Sequence, residues 1–399
     1  MDTMLMTILL VFITAFSAPL STHGFSHPLS LLPLSVPSST SSSFSHRLRI
    51  RRPPPSSFSA SAASLISSFR VVLSSTSLDN AETVHQSTTA PNSSLTLFSP
   101  CKINLFLRIL NKRSDGYHNL ASLFQSVGFG DTLHLALLPR AQEGKGGSEV
   151  FSCNMAGVPT DSSNLVLRAL ELMRQKLNIR GQYFTANLIK RVPAQAGLGG
   201  GSANAATAMW GANELLGRPA TLQELIDWSA ELGSDITFFL SQGTAYCTGR
   251  GEIMTPIVPP LPSGTKLSIV KPDLGLSTPM VFKALDYNQL SKRDPEELRD
   301  AFLSQGVVNI DDEYYINDLE QPAFDCLPEL KALKEELVCV DGFHHVMMSG
   351  SGTSVYCIGE PKDMKSFMST FDERVGISVF NTEFINREDG QWFESPKND

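Results

Sequence analysis

The stretch VPAQAGLGGGSANAATAMW, residues 192–210, places four glycines within five residues and continues directly into an alanine-rich run. Glycine is conformationally costly in a folded chain unless its missing side chain is needed, whereas alanine is the best helix former. The pattern predicts a bare loop followed by a helix over 202–216. Because backbone N–H groups in such a loop and at a helix start attract anions, we expect this glycine loop to bind the phosphates of a nucleotide.

The glycine loop differs from two familiar phosphate-binding motifs. No Gly-Lys-Ser/Thr follows it, which excludes a Walker A loop, and its spacing does not fit the G-x-G-x-x-G dinucleotide fingerprint. Ser202 is expected to cap the following helix, and Ala203 is small enough to let that helix pack against a sheet. The structural alternative is a glycine-rich turn that serves only close backbone packing.

Upstream, the stretch LTLFSPCKINLFLRIL (95–110) predicts a strand, which the pair Asp115-Gly116 then follows with a tight turn. One face of the strand is apolar at period two and is expected to be buried; it carries Ile103, Leu105, Leu107 and Ile109. Lys102 and Asn104 share the opposite face. Polar side chains at those positions are either solvated or part of a site.

Two further stretches place polar or small residues next to apolar runs. In ELGSDITFFL (231–240), Asp235 comes just before two phenylalanines, so we expect it near the core, where a carboxylate needs a cationic partner such as a lysine. A turn or capping aspartate is the alternative. In MMSGSGTSVY (347–356), small residues follow a strand-like run, which predicts either a second ligand loop or an ordinary turn.

The remaining segments mix helices and strands without a regular βαβ alternation, which favours an α+β fold over a doubly wound sheet. Helices are predicted over 162–177, 221–232, 295–304 and 328–338, and strands over 123–137, 183–190, 267–272 and 344–359. Thr221 and Glu224 form a capping-box pattern, and Gly233 is expected to end that helix. The proline-rich segment 255–266 is the predicted domain boundary.

Residues 1–79 have the composition of an organelle leader. Positions 3–78 contain no Asp or Glu, are rich in Ser, Thr and Pro, and carry five arginines, which is typical of a transit peptide. Secretion is the alternative, because MLMTILLVFITAF (4–16) is as apolar as a signal-peptide core, although no positive charge precedes it. No stop-transfer pattern follows, so we predict no membrane anchor.

Charge and cysteine usage exclude several classes of partner and site. The residues after position 78 carry 27 basic and 39 acidic side chains, a formal charge of −12. Such a chain does not hold polyanions by diffuse attraction, so neither nucleic acid nor an anionic membrane is an expected partner. The six cysteines are scattered singly without a C-x-x-C pair, which indicates reduced core thiols rather than a metal or redox site.

Taken together, these stretches resemble the GHMP kinases, named for galactokinase and the homoserine, mevalonate and phosphomevalonate kinases. PCKINLFLRIL resembles their first motif, PAQAGLGGGSANAA their phosphate loop and MSGSGTSV their third motif. Further stretches resemble the branch of the family that phosphorylates 4-diphosphocytidyl-2-C-methyl-D-erythritol in plastids and bacteria: KINLFLRILNKRSDGYHNLASLFQ, SSNLVLRAL, ELGSDITFFL and STPMVFK. The resemblance covers about residues 95–395.

The resemblance implies a two-domain α+β fold with the active site in a cleft between the domains. A ribosomal-protein-S5-like N-terminal domain would cover 95–262, and a ferredoxin-like C-terminal domain would cover 263–395. ATP and Mg²⁺ are the implied cofactors, the small-molecule acceptor is the implied substrate, and no obligate protein partner is inferred. The leader then indicates import into the chloroplast stroma.

The implied site residues fall into three groups. Lys102 and Asp235 would be the catalytic pair. ATP would contact a group that includes the glycine loop: Asn164, Lys190, Pro193, Gly197, Leu198, Gly199, Gly200, Gly201, Ser202 and Ala203. The acceptor would contact a second group, with hydrogen bonding by the histidine and stacking by the two rings: Asn104, Tyr117, His118, Thr278 and Phe282. Ser202 is the candidate metal ligand.

On this resemblance, Asp235 would accept the proton of the acceptor hydroxyl, and Lys102 would hydrogen-bond to Asp235 and keep it ionised. Ala203 and Thr237 depart from the serine and proline usual in the family. A homoserine- or mevalonate-type kinase is the first alternative, which the base-stacking residues disfavour. A non-catalytic nucleotide-binding regulator is the second, which the presence of both catalytic residues disfavours.

Overall fold

The computed structural model of this protein describes residues 94–140 and 147–396. The predicted leader, 1–79, lies outside the described residues. All described residues belong to one compact unit, Val84–Asp399. Over these ranges, none of the helices combines the length and the apolar character needed to cross a membrane.

The first sheet begins with a long antiparallel hairpin, whose turn at Gly116 has a positive φ of 87°, as the Asp115-Gly116 pair predicts. Over 94–140 and 147–396 this sheet has six strands: β1 (Ser94–Lys112), β2 (His118–Leu137), β3 (Val150–Cys153), β4 (Phe184–Ile189), β5 (Thr244–Gly249) and β6 (Ile253–Pro256). The strand order is β3-β4-β2-β5-β6, with β1 paired to β2. Strand β2 therefore lies in the middle of this sheet, with β1 paired to it.

Strand β1 is buried on both faces, so the expectation of a single buried face is wrong. Lys102 and Asn104 are as inaccessible as Ile103 and Leu105. One reason lies in the pairing with β2, where register shifts between Asn104 and Phe106 and at two other places interrupt the alternation of faces. Polar side chains in this strand are therefore part of an interior site and are not a solvated edge.

Three helices accompany the first sheet in the described part of the chain: α1 (Leu165–Lys176), α2 (Gly200–Leu215) and α3 (Leu222–Ser229). Helix α2 packs directly on the sheet, whereas α1 and α3 contact α2. Helix α2 lies between α1 and the β1–β2 hairpin, and its small side chains allow this close packing. Ser202 does not cap it, because the helix starts two residues earlier with Gly199 as its left-handed N-cap. The capping box of α3 is confirmed, but α3 ends at Ser229, before Gly233.

The second sheet is antiparallel, with the order β10-β7-β9-β8. Its strands within the described ranges are β7 (Lys266–Pro272), β8 (Phe343–Met348), β9 (Val355–Gly359) and β10 (Ile377–Glu383). The predicted strand 344–359 is thus two strands joined by a loop at 349–354. The accompanying helices are α4 (Thr278–Lys283), α5 (Pro295–Gln305), α6 (Glu320–Cys326), α7 (Pro328–Val338) and α8 (Met364–Phe371).

The arrangement confirms the predicted α+β class. Each half of the chain forms its own, mainly antiparallel sheet with accompanying helices. The division into domains at 262 and 263 falls between β6 and β7 and stays a prediction. The six cysteines are free, and Cys101, Cys247 and Cys357 are the core thiols that the sequence predicts. Cys153 and Cys326 are only partly buried and Cys339 is exposed, so these three are not core thiols.

One buried hydrogen bond joins the two sheets directly behind the predicted site. The hydroxyl of Tyr356, in β9, donates to the backbone carbonyl of Asn104, in β1, at 2.8 Å. Burial raises the pKa of Tyr356 well above its usual value, so the hydroxyl keeps its proton and remains a donor. The backbone on which Lys102 and Asn104 stand is therefore fixed by a residue more than 250 positions later in the sequence.

Replacing Tyr356 by Phe should lower the free energy of unfolding by about 1 kcal/mol, because it removes this bond and leaves a buried carbonyl with one partner fewer. Urea titration followed by tryptophan fluorescence would measure the change. An unchanged midpoint and slope would show that the bond between the sheets contributes nothing to stability.

Candidate active site

The glycine loop has the shape that its composition predicts. Gly197 and Gly199 have φ values of 74° and 68°, which side-chain-bearing residues rarely adopt. A Cβ on Gly197 would overlap the carbonyl oxygen of Ser349, and one on Gly200 would lie 2.9 Å from a methyl group of Val192. Close backbone packing, the structural alternative, thus accounts for part of the glycine content.

The loop also lines an open cavity of about 720 Å³. Most of the predicted ATP-binding residues meet there: Asn164, Lys190, Pro193, Gly197, Leu198, Gly199, Gly200, Gly201 and Ser202. Ala203 does not, because it is fully buried in α2. The segment 155–159 forms another wall that the sequence analysis missed. The first turn of α2 lies at this cavity, so its free N–H groups suit an anion.

Lys190 is held in the cavity wall by Asp131, a residue that the sequence analysis missed. Its Nζ lies 2.7 Å from Oδ2 of Asp131, which is fully buried. The other carboxylate oxygen of Asp131 accepts hydrogen bonds from the backbone N–H groups of Arg191 and Val192, at 2.7 and 2.8 Å. One carboxylate therefore fixes both the Lys190 ammonium and the backbone that enters the glycine loop.

The predicted catalytic pair is brought together at the inner end of the loop. Nζ of Lys102 lies 4.0 Å from Oδ2 of Asp235, which is an ion pair and not the expected hydrogen bond. The hydrogen bond of Lys102 goes instead to Oδ1 of Asn104, at 2.6 Å, and Asn104 in turn donates to Ser122 Oγ at 2.8 Å. Asn104 therefore orients the ammonium group.

Asp235 is more accessible than the sequence predicts, since 35% of its side-chain surface is exposed. The apolar residues that follow it form a short 3₁₀ helix, Thr237–Leu240, that is buried, while Asp235 precedes this helix on the turn. Asp235 is therefore half-buried beside the core, and its cationic partner is a lysine, as the sequence predicts. An accessible carboxylate is able to reach a bound hydroxyl group, whereas Lys102 is only 3% exposed.

Burial lowers the pKa of Lys102, and the nearby carboxylate of Asp235 opposes this shift. The ammonium also lies 4.9 Å from the ring centre of Phe124, a favourable cation–π distance. A partly desolvated cation interacts strongly with negative charge that develops beside it. This pair therefore combines a reachable proton acceptor with a cation that is buried next to the phosphate loop.

The third small-residue loop, 349–354, packs directly on the glycine loop. Ser349 donates through Oγ to the carbonyl of Gly197 at 3.0 Å, and Ser354 N–H donates to the carbonyl of Ala196 at 3.2 Å. A Cβ on Gly350 would lie 3.3 Å from Nζ of Lys102. This segment is therefore part of the site and is not an ordinary turn.

The predicted acceptor residues include three rings, of which Tyr117 is exposed and His118 and Phe282 are half-buried. The rings of His118 and Phe282 stack with centres 4.7 Å apart, and the guanidinium of Arg250 lies 5.3 Å from the ring centre of Tyr117. Tyr117 is 58% exposed, so its ring is free to receive a ligand. Burial and, to a smaller extent, the charge of Lys112 lower the pKa of His118, which therefore favours the neutral imidazole.

Two contacts in this region involve residues that the sequence analysis did not single out. The hydroxyl of Tyr287 lies 2.6 Å from Nε2 of His118. Thr278, a predicted acceptor residue, shares a hydrogen bond of 2.8 Å with the hydroxyl of Ser351. The acceptor region therefore touches the loop 349–354, which also contacts the glycine loop.

A magnesium ion bound with a nucleotide takes most of its ligands from phosphate oxygens and water, so it needs few protein groups. In residues 94–140 and 147–396, no three His, Cys, Asp or Glu side chains converge as a metal site. Ser202 lines the cavity in the first turn of α2 and offers one oxygen. The residues present are compatible with that minimal requirement.

Comparison with known proteins agrees with this geometry. Residues 164–243 match the family model described as GHMP kinases N terminal domain. A relative from Arabidopsis thaliana, named 4-diphosphocytidyl-2-C-methyl-D-erythritol kinase, chloroplastic, is 45% identical over 309 residues, which cover 77% of this chain and 78% of the relative. The chain belongs to the 4-diphosphocytidyl-2-C-methyl-D-erythritol kinase family.

This family assignment extends to a bacterial relative and to a solved structure. A 4-diphosphocytidyl-2-C-methyl-D-erythritol kinase from Protochlamydia amoebophila is 43% identical over 302 residues, covering 76% of this chain and 94% of the relative. A crystal structure of 4-(cytidine 5'-diphospho)-2C-methyl-D-erythritol kinase gives a TM-score of 0.59 at 28% identity, covering 73% of this chain and 100% of that one. The predicted GHMP kinase fold is confirmed.

The predicted chloroplast localisation is confirmed as well. The names of the plant members of the 4-diphosphocytidyl-2-C-methyl-D-erythritol kinase family from Arabidopsis, rice, tomato and mint all include the word chloroplastic. The transit peptide itself lies in the part of the chain that the structure does not describe.

Within this family site, two neighbouring glycines should respond oppositely to alanine. Gly197→Ala should lower the free energy of unfolding by about 2 kcal/mol or more, because the new Cβ overlaps Ser349 and the backbone is left-handed. Gly201→Ala should be neutral or stabilising by up to about 1 kcal/mol, since it lies in α2 with the nearest atom 3.7 Å from its Cβ position. Urea unfolding of both variants measures the difference, and equal stabilities would contradict the packing of the loop.

Proposed function

We propose that this protein transfers the γ-phosphoryl group of ATP to the 2-hydroxyl of 4-diphosphocytidyl-2-C-methyl-D-erythritol. The observation that supports the proposal is that Lys102, whose Nζ lies 4.0 Å from Asp235, also packs against Gly199 of the loop that lines the cavity. Relatives that are 43–45% identical bear the name of this kinase. The product would be an intermediate of the methylerythritol phosphate route to isoprenoid precursors.

ATP is proposed to occupy the cavity of about 720 Å³, with its phosphates along residues 197–202. Backbone N–H groups at the start of α2 and the positive end of its dipole favour the phosphates. The adenine end would lie toward Asn164 and Lys190, which line the same cavity. The buried pairing of Lys190 with Asp131 supports this role, because it fixes the ammonium before the nucleotide binds.

The acceptor is proposed to bind at these three rings. Its cytosine would lie between Tyr117 and Phe282 and would hydrogen-bond to His118. Aromatic faces suit a base because stacking is favourable for any nucleobase. Asn104 and Thr278 would line the same side. The half-buried guanidinium over Tyr117 belongs to Arg250, which also pairs with Glu252, and its neighbour Gly251 adjoins the carboxylate of Asp235. This guanidinium is the proposed partner of the diphosphate.

The chemistry assigned to the protein is mainly positioning and charge stabilisation, as is usual in phosphoryl transfer. Asp235 orients the 2-hydroxyl and accepts its proton as the oxygen attacks the γ-phosphorus and the bond to the β-phosphate oxygen breaks. Lys102, oriented by Asn104, offsets the charge on the transferring group. Bound Mg²⁺ supplies charge neutralisation at the phosphates, with Ser202 as its candidate protein ligand.

Asp235→Asn should lower turnover by about 10²- to 10⁴-fold, the usual loss when a general base is removed. ATP affinity should be retained, because Asp235 does not line the nucleotide cavity. Steady-state ADP release and a separate ATP titration measure the two quantities. Asp227→Asn, an exposed aspartate on α3, is the matched control. Near-normal turnover of Asp235→Asn would remove this residue from the role of base.

The substrate is tested by ADP release from the full-length chain with three acceptors. We expect efficient turnover with 4-diphosphocytidyl-2-C-methyl-D-erythritol and little with mevalonate or homoserine, since neither of these alcohols carries a nucleobase that could stack on Tyr117 and Phe282. Preference for either simple alcohol would overturn the proposed substrate while leaving a GHMP kinase.

A further inference from the structure

His118 has a partner on one ring nitrogen and a free position on the other. Its Nε2 lies 2.6 Å from the hydroxyl of Tyr287, and the two rings are nearly parallel, with centres 6.0 Å apart. Phe282 stacks on the same imidazole at 4.7 Å. These contacts orient the ring and leave Nδ1 without a hydrogen-bond partner among the described residues.

The contact with Tyr287 also decides where the imidazole proton lies. A neutral imidazole carries one N–H donor and one acceptor nitrogen, and the hydrogen bond at one nitrogen fixes the role of the other. The hydroxyl of a neutral phenol is a good donor, whereas its oxygen is a weak acceptor because its lone pair is delocalised into the ring. On this argument the Tyr287 hydroxyl is the donor to Nε2, which would leave the proton of His118 on Nδ1.

A donor at Nδ1 distinguishes between the two pyrimidines. Position N3 of cytosine is an acceptor, whereas position N3 of uracil carries a hydrogen and is a donor. A protonated Nδ1 that faces N3 would bond cytosine and would oppose uracil donor to donor. If His118 moved its proton to Nε2, Nδ1 would become an acceptor and the preference would be reversed.

We propose that Tyr287 is a specificity-determining residue, which acts through His118 by holding its proton on Nδ1 so that the acceptor pocket selects cytosine over uracil. This inference rests on the proposed function, because it assumes that a pyrimidine binds at His118. Tyr287 is a positioning residue here, since it acts on the base through the imidazole. It is 45% exposed, so burial in a core does not account for its orientation.

The first test reads the proton directly and needs no substrate. In the full-length chain labelled with ¹⁵N-histidine, two-bond ¹H–¹⁵N correlations distinguish the two tautomers, and His118→Gln identifies the signals. We expect the Nδ1–H form in the wild type and a mixture of both forms in Tyr287→Phe, which keeps the ring and removes the hydroxyl. A wild-type signal from the Nε2–H form would overturn the proposal.

The second test measures base selection. The ratio of kcat/KM for the cytidine-linked substrate to that for its uridine-linked analogue should fall about tenfold in Tyr287→Phe, the loss expected for one hydrogen bond. The change should appear in the KM values for the acceptor, with kcat and the KM for ATP unaltered. An unchanged ratio would contradict the assignment, whereas a fall in kcat alone would indicate a structural role and also contradict it.

Tyr183→Phe is the matched control, because it removes another phenol hydroxyl that accepts only a long bond of 3.4 Å from Gly147, in a part of the first sheet away from His118. Its ratio should equal that of the wild type. If the wild type turned over neither substrate, the proposed function would fail, and the tautomer measurement would still decide the state of His118. The two failures are therefore distinguishable.

Discussion

The site depends on how the backbone of the glycine loop is held between two distant parts of the chain. On one side, the N–H of Lys102 donates to the carbonyl of Leu198 at 3.0 Å, which ties the loop to β1. On the other side, Ser349 and Ser354 bond the carbonyls of Gly197 and Ala196. Carbonyl groups thus point into the protein, and the remaining N–H groups near the start of α2 are left for an anion. The absence of side chains at this place serves packing and binding together.

Burial of the Lys102 ammonium links this packing to chemistry. A charged amine in the interior loses hydration, and the lowered pKa of Lys102 records that cost. Two polar groups compensate for it, the amide oxygen of Asn104 at 2.6 Å and the more distant carboxylate of Asp235, and the ring of Phe124 adds a cation–π contact. A negative phosphoryl group arriving at the loop would add a third. The residue is thus stabilised least when the site is empty, which suits a group that acts on developing negative charge.

Local patterns in the sequence predicted the elements that carry the site, but not the contacts that orient it. The glycine loop, β1 and the pairing of Lys102 with Asp235 could be predicted because each depends on residues close in sequence or on a strong family pattern. The role of Asp131 could not be predicted, because its partner Lys190 is 59 positions away in the sequence. The role of Tyr287 could not be predicted either, because it lies 169 positions from His118. Alternation also left open whether Lys102 and Asn104 face solvent or a site, because it does not reveal what covers the second face of a strand.

The bond from Ser349 to the glycine loop spans 152 positions of the sequence. A chain that enters an organelle as a linear thread from its amino terminus presents the glycine loop long before residues 349–354 arrive. Until then the loop lacks the contacts that fix its carbonyl groups, so the nucleotide pocket cannot take its final form. Competence to bind ATP would therefore appear late in import, once most of the polypeptide has crossed the envelope, and not progressively as successive segments emerge.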